Sequence, residues 1–487
     1  MDFKIVGRTI GGIWALEAAF MVPSVGIALY DGDLNVMDAF IFTIVLMLGA
    51  GAGLWYGCRS DRKKPSYTSE GIVTVGLAWI TMSALGCLPF CISREIPNFV
   101  DALFEMVSGF TTTGASILRD VETMSRASLY WRSFSHWLGG MGMLVFVLAV
   151  APGSKQAAGF NLNLMRAESP GPNVSKLTPK TGETAKVLYL LYLILTIVCI
   201  IFLLLGGMPL FDSLCIAFGT AGTGGFGIMN DSCAGYTPYL QNVITIFMAL
   251  FGVNFGVYYL IILRRFSAAL ADEEVRLYFG ILIVAALLIT LNILPLMNGD
   301  FWVSLRHAAF QVSSITTTTG YSTTDFNLWP SFSKSILLTL MVCGACAGST
   351  GGGIKTARLL ILGKTMLRSI RRTLRPRSVQ LIQVNKHSLD ESVIHTTNVY
   401  LIAYWALMLI SYVLISLDGF SMETNMSAVF SCFNNIGPGF DGVGPMSNYA
   451  DYSMGAKLVL IADMLLGRLE IFPLLTLFSK YTWNRKV

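Results

Sequence analysis

Ten runs of apolar residues, most of them about 20 residues long, take up more of this chain than any other feature. They lie near 10–30, 36–57, 71–92, 128–151, 185–206, 239–263, 277–297, 332–364, 392–417 and 454–479. A run of about 18 or more apolar residues with few charges is long enough to cross a bilayer as a helix. Only 13% of the 487 residues are charged, about half the share usual in soluble proteins. A large soluble core would still need a charged surface, so a soluble globular fold is excluded. The first run is too long for a secretory leader and has no cleavage site after it, so it is expected to stay as a helix.

Four shorter apolar stretches, near 101–110, 211–219, 304–315 and 424–433, sit between particular pairs of runs. They are too short to span. Charge placement says what they do instead. With the N-terminus in the cytoplasm, seven of the 34 Lys and Arg fall outside: Arg94, Arg119, Arg126, Arg132, Arg306, Lys334 and Lys457. Lys355, Arg358 and Arg468 fall within spans, and the other 24 fall inside. This bias predicts cytoplasmic N- and C-termini and a multi-pass protein of the plasma membrane. It holds only if the four short stretches dip in from the outer side and return.

Each short stretch is followed by a Thr/Gly-rich string. Without gaps the strings align as Thr111-Thr112-Thr113-Gly114-Ala115, Ala221-Gly222-Thr223-Gly224-Gly225, Thr317-Thr318-Thr319-Gly320-Tyr321 and Asn434-Asn435-Ile436-Gly437-Pro438. Phe104-Glu105-Met106-Val107-Ser108 also matches Phe310-Gln311-Val312-Ser313-Ser314, so the repeat extends backwards. Backbone within a membrane must be hydrogen-bonded or must line a wet or ion-filled cavity. A short helix that exits as extended chain leaves carbonyls that can replace a cation's hydration shell. Glycine permits the dihedrals that aim them, and the helix points its negative end at the ion. The expected fold is therefore an all-α integral membrane protein. Four parallel membrane helix–pore loop–membrane helix repeats (66–155, 180–268, 272–370 and 390–487) surround one pore, with two extra N-terminal transmembrane helices at 1–65. The expected filter residues are Thr112, Thr113, Gly114, Thr223, Gly224, Thr318, Thr319, Gly320, Asn435, Ile436 and Gly437, binding a cation.

These strings, with Gly348-Ser349-Thr350-Gly351-Gly352-Gly353-Ile354-Lys355 in the eighth run and Gly467-Arg468-Leu469-Glu470 in the last, resemble the TrkH/KtrB superfamily of potassium transporters. The resemblance covers nearly the whole chain. Two spans before the first repeat place it nearer the TrkH branch. It implies potassium uptake across the bacterial inner membrane, a homodimer with a pore in each subunit, and a cytoplasmic nucleotide-binding regulatory ring of the TrkA type. Asn435 and Ile436 in the fourth string, and Gly222 in the second, depart from Thr, so the filter is expected to be less symmetric than that of a tetrameric channel.

Gly348 to Lys355 is not a phosphate loop, because Ile354 separates glycine from lysine; no nucleotide is expected on this chain. Its glycines break a helix under the filter, and the expected gate consists of Gly348, Gly351, Gly352, Gly353, Lys355 and Arg468. Arg468 lies about halfway along the last run, where a charge is costly and faces the pore or a partner; neither Asp463 nor Glu470 is ideally spaced to pair with it along a helix. His136, His307, His387 and His395 are scattered and read as packing or loop residues. Binding of the Arg-rich 365–391 segment to acidic membrane lipid, or to a partner protein, is the sharper alternative to plain charge retention. No nucleophile, base or metal cluster of an enzyme is seen, and no nucleic-acid partner is expected. A proton- or sodium-linked symporter of another cation is the competing function, but such transporters favour inverted repeats, and these repeats are parallel.

Overall fold

The computed structural model describes residues 3–58, 68–142, 181–377 and 380–483. The expected repeat boundaries at 65–66, 155, 180 and 487 fall outside the described residues, as do the basic residues Arg62, Lys63 and Lys64.

Helices α1 (Phe3–Asp31) and α2 (Leu34–Gly57) pair as a hairpin. Gly11 and Gly51 let their backbones touch, since a Cβ on Gly11 would lie 2.6 Å from the Gly51 carbonyl oxygen. Four units follow, each with a long helix, a short helix, a string and a second helix. The first unit is α3 (Thr68–Gly86), α4 (Phe99–Phe110) and α5 (Arg126–Gly140). The second is α6 (Thr181–Leu205), α7 (Leu210–Gly222), α8 (Pro238–Phe251) and α9 (Phe255–Ile262). The third is α10 (Glu273–Ile293), α11 (Phe301–Thr316), α12 (Ser331–Cys343) and α13 (Thr356–Leu374). The fourth is α14 (Glu391–Ile415), α15 (Met422–Asn434), α16 (Met454–Arg468) and α17 (Phe472–Leu477). A two-stranded antiparallel hairpin, Gln383–Val384 with His387–Ser388, lies between α13 and α14.

The short helices α4, α7, α11 and α15 coincide with the four stretches too short to span. Asn98, Asp300 and Ser421 cap three of them with side-chain oxygens, which satisfies amides that a membrane would otherwise leave unpaired. These helices form the core: Phe104, Phe310 and Ser427 are completely buried. The long helices reverse the soluble pattern. Leu193, Ile197 and Ile201 of α6, Val284 and Leu291 of α10, and Leu409 and Val413 of α14 are exposed apolar residues. Such a surface suits lipid rather than water.

The runs 239–263 and 454–479, expected as unbroken spans, are corrected, whereas the break expected in the 332–364 run is present. Six helices among the described residues are long and apolar enough to cross a membrane, or seven counting α8 and α9 as one span bent by 91°. The second helix of every unit stops short. Helix α8 stops at Gly252, α12 at Gly344 and α16 at Arg468, and the described part of α5 ends at Gly140. Gly344 has φ +62°, and Glu470 and Ile471 have φ +53° and +67°, so the helical hydrogen-bond ladder cannot continue through them. Apolar composition alone does not register the breaks at Gly252 and Arg468. The part of the 128–151 run beyond 142 lies outside the described residues.

Candidate functional site: four strings and a central loop

The four strings adopt one conformation. Thr112, Thr223, Thr318 and Asn435 are left-handed, with φ of 55°, 54°, 59° and 57°. Two residues later Gly114, Gly225, Gly320 and Gly437 have φ of 77°, 77°, 86° and 101°. The residue between them donates its amide five residues back into the short helix: Thr113 to Ser108, Gly224 to Gly219, Thr319 to Ser314 and Ile436 to Ser431, at 2.8, 2.8, 2.8 and 2.9 Å.

This pattern corrects the register of the second string by one residue. Gly225, not Gly224, is the counterpart of Gly114, Gly320 and Gly437, and Thr223 stands with Thr112. Gly222 therefore does not replace the left-handed threonine; Gly224 instead occupies the place of Thr113, Thr319 and Ile436. Gap-free matching was misled by the Gly224-Gly225 doublet, because residue identity does not encode which glycine must be left-handed.

The strings close a ring. A Cβ on Gly114 would lie 2.0 Å from the Gly224 carbonyl oxygen, and one on Gly225 1.9 Å from that of Thr319. One on Gly320 would lie 2.0 Å from that of Ile436, and one on Gly437 2.7 Å from that of Thr113. Each unit thus abuts the next, and the fourth returns to the first. Among the described residues, the carbonyls of Thr112, Thr113, Thr223, Gly224, Thr318, Thr319, Asn435 and Ile436 accept no hydrogen bond. Eight such groups without partners inside a membrane protein would each cost several kcal/mol.

Braces behind the ring fix it. Asn435 Nδ2 donates to Thr113 Oγ1 at 3.0 Å and to the Met464 carbonyl at 2.8 Å, linking the fourth string to the first. Tyr449 donates its hydroxyl to the Gly437 carbonyl at 2.8 Å. His136 was read from sequence as a packing residue. Its Nδ1 bonds the Gly109 carbonyl at 2.8 Å, while Nε2 accepts from the Phe226 amide at 3.2 Å. It joins the first short helix to the second string. No sequence spacing singles it out, since its partners are backbone atoms of remote segments.

Arg132 was counted among the outside cations, yet it is buried and pairs with Glu105 at 2.5 Å. Glu105 also accepts from the Ile117 amide at 2.9 Å, and Arg132 donates to the Gly227 carbonyl at 2.9 Å. The pair therefore anchors the exits of the first and second strings. A carboxylate in the middle of a short, mostly apolar helix, beyond the first turn that holds Asp101, was the available signal. Lys457, also placed outside, is buried against Asp101 at 2.7 Å.

On one side the ring opens into a vestibule of about 160 Å³ lined by Gly114, Gly225, Gly320, Gly437, Asn230 and Tyr449. On the other side a cavity of about 80 Å³ is lined by Gly140, Ser349, Gly352, Lys355, Arg468 and Glu470. Between the cavity and the ring runs the non-helical segment 344–355. The Gly352 amide donates to Thr318 Oγ1 at 2.7 Å, and a Cβ on Gly352 would lie 2.6 Å from the Asn434 carbonyl oxygen. A Cβ on Gly351 would lie 3.0 Å from that of Thr317, so bulkier residues could not pass this close to the strings. Gly348 and Gly353 are left-handed, with φ of 73° and 67°. Gly348 accepts from the Phe255 amide at 3.1 Å. Lys355 is buried and turns its Nζ back to the Gly351 carbonyl.

Arg468 ends α16 under the ring. It donates to Thr112 Oγ1 at 3.2 Å, to the Thr350 carbonyl at 2.9 Å and to the Gly140 carbonyl at 2.7 Å, and it also bonds the Gly139 carbonyl. Neither nearby acid is its partner. Glu470 pairs with Arg358, and Asp463 accepts from Ser411 at 2.6 Å. Loop carbonyls outcompete the acids because the helix ends here, leaving acceptors free. The residues expected at the strings and those expected beneath them thus form one continuous arrangement.

Fold and site together define a multi-pass membrane protein in which four re-entrant loops of a single chain meet on one axis. The chain belongs to the TrkH family, described as cation transport protein, whose profile matches residues 35–485. It is 34% identical over 492 residues to the Trk system potassium uptake protein TrkH of Salmonella typhimurium, covering 99% of this chain and 100% of that one. It is 31% identical over 490 residues to TrkG of Escherichia coli, covering 99% of each. The crystal structure of the potassium transporter TrkH from Vibrio parahaemolyticus superposes with a TM-score of 0.87 at 31% identity, over 99% of this chain and 100% of that one.

Proposed function

We propose that this chain carries potassium across the membrane as the pore subunit of a Trk-type uptake system, and not as an enzyme. The observation that carries this reading is the ring of carbonyls without hydrogen-bond partners at Thr112–Thr113, Thr223–Gly224, Thr318–Thr319 and Asn435–Ile436. Potassium fits such a donor set: a large, weakly hydrated monovalent cation exchanges water for uncharged carbonyl oxygens. The ends of the four short helices add negative potential there. The segment 344–355 and Arg468 obstruct the path beneath the ring and act as its gate. The reading extends to a homodimer in the bacterial inner membrane with cytoplasmic termini, gated by a TrkA-like nucleotide-binding ring, with acidic lipid meeting the Arg-rich 365–391 segment.

The test is flux through the purified chain in liposomes with potassium, rubidium, sodium and lithium. Potassium and rubidium are expected to pass well ahead of sodium and lithium. Equal passage of all four would reject the carbonyl-ring reading.

A further inference from the structure

We propose that Glu274 is the positioning residue that fastens both roots of the 344–355 segment. This rests on reading that segment as the gate. Glu274 lies in the first turn of α10 and is nearly buried. One carboxylate oxygen, Oε1, accepts from the Ala347 amide at 2.6 Å and from the Ala357 amide at 3.0 Å. Ala347 is on the entering arm of the segment, and Ala357 is in the first turn of α13, where it leaves. A single side chain from a neighbouring helix therefore clasps the segment at both ends.

The local chemistry calls for such a clasp. A helix start needs an oxygen to accept its free amides. The residue at the cap position of α13 is Lys355, which makes no side-chain cap and, as a pure donor, has no acceptor to offer. Glu274 supplies the missing acceptor from outside. Its backbone is held in turn, because Asp272 Oδ1 accepts from the Glu274 and Val275 amides at 3.0 and 3.1 Å. Asp272 also accepts from Asn385 in the hairpin turn at 2.9 Å, and the adjacent Glu273 pairs with Lys364 of α13. The start of α10 is thus a rigid bracket. The entering arm is tied elsewhere by backbone carbonyls. The Cys346 amide donates to the Gly252 carbonyl at 3.0 Å, and Thr356 donates its amide to the Ala345 carbonyl at 3.0 Å and its hydroxyl to the Gly344 carbonyl at 3.2 Å. Among these contacts Glu274 is the side chain from another helix that accepts from both arms.

Three substitutions separate acceptor, reach and charge. Glu274→Ala removes both bonds. Glu274→Asp keeps the charge but is one carbon too short to reach both amides. Glu274→Gln keeps an oxygen at the same distance without the charge. Loss of one hydrogen bond to a charged acceptor shifts an equilibrium by about tenfold. Basal flux in liposomes without a partner is therefore expected to rise about tenfold in Glu274→Asp, which loses one bond, and at least about tenfold in Glu274→Ala, which loses both, with the potassium-to-sodium ratio unchanged. Glu274→Gln should stay within about threefold of the parent, and hydrogen exchange at Ala347 and Ala357 should quicken in the Ala and Asp variants only. A variant lacking Gly348 to Gly353 is measured alongside. If it conducts more than the parent while folded Glu274→Ala and Glu274→Asp do not, the segment is a gate and Glu274 is not its clasp. If the deletion itself changes nothing, the gate reading fails and takes this assignment with it. Should Glu274→Ala not assemble, Asp and Gln variants that conduct alike would overturn the proposal.

Discussion

Replacing Arg468 by alanine tests the lower half of the pathway. Among the described residues the guanidinium bonds Thr112, Thr350, Gly139 and Gly140, and so ties the first string, the 344–355 segment and the end of α5 to α16. Two effects follow from its loss. Its bond to Thr350 is from a charged donor, worth about 1.5–3 kcal/mol, and losing it frees the segment. Its charge also opposes a cation approaching beneath the ring, by about 3 kcal/mol at about 6 Å with an effective dielectric constant of about 20. Either effect alone corresponds to a change of about tenfold to a hundredfold. The ring should survive, because the Thr112 amide keeps its own bond to Gly109 at 3.1 Å. Arg468→Ala is therefore expected to raise basal potassium flux in liposomes by at least about tenfold, with the potassium-to-sodium ratio nearly intact. Unchanged flux in a folded variant would refute this account. A fallen ratio at unchanged flux would make Arg468 a support of the ring instead.

Two further outcomes are expected. Deleting several of Gly348 to Gly353 should raise basal flux without a partner protein; a folded variant that conducts no more than the parent would make the segment a packing element. Arg132→Met should destabilise the protein by about 3–5 kcal/mol, since it strands the buried Glu105 carboxylate, and thermal unfolding in detergent measures this; an unchanged midpoint would show that the pair does not hold the string exits.

What the sequence reveals and what it hides follow one physical line. Length and apolarity reveal elements that must satisfy a bilayer, so α1, α2, α3, α6, α10 and α14 and the four short helices were all legible. Composition is blind to the breaks at Gly252 and Glu470, whereas the glycine-rich run after Gly344 made that break legible. The strings were legible as a repeat, but their register depends on which residue takes a left-handed dihedral, and Gly224-Gly225 offered two candidates. Arg468 announced itself by its cost in a membrane. His136 and Glu274 did not, since each acts through backbone amides and carbonyls far away in sequence, and a partner of that kind has no side-chain signature.

The central claim is that the ring of strings selects the ion. Serine at Gly114, Gly225 or Gly320 must adopt a left-handed φ of 77°, 77° or 86° and must force its Cβ against the next string's carbonyl, 2.0, 1.9 or 2.0 Å away. The decisive measurement is the potassium-to-sodium permeability ratio of these three variants in liposomes beside the parent. The ring account predicts a lower ratio in each, including Gly225→Ser, whose place the structure assigns. Three folded variants with the parent's ratio would contradict it.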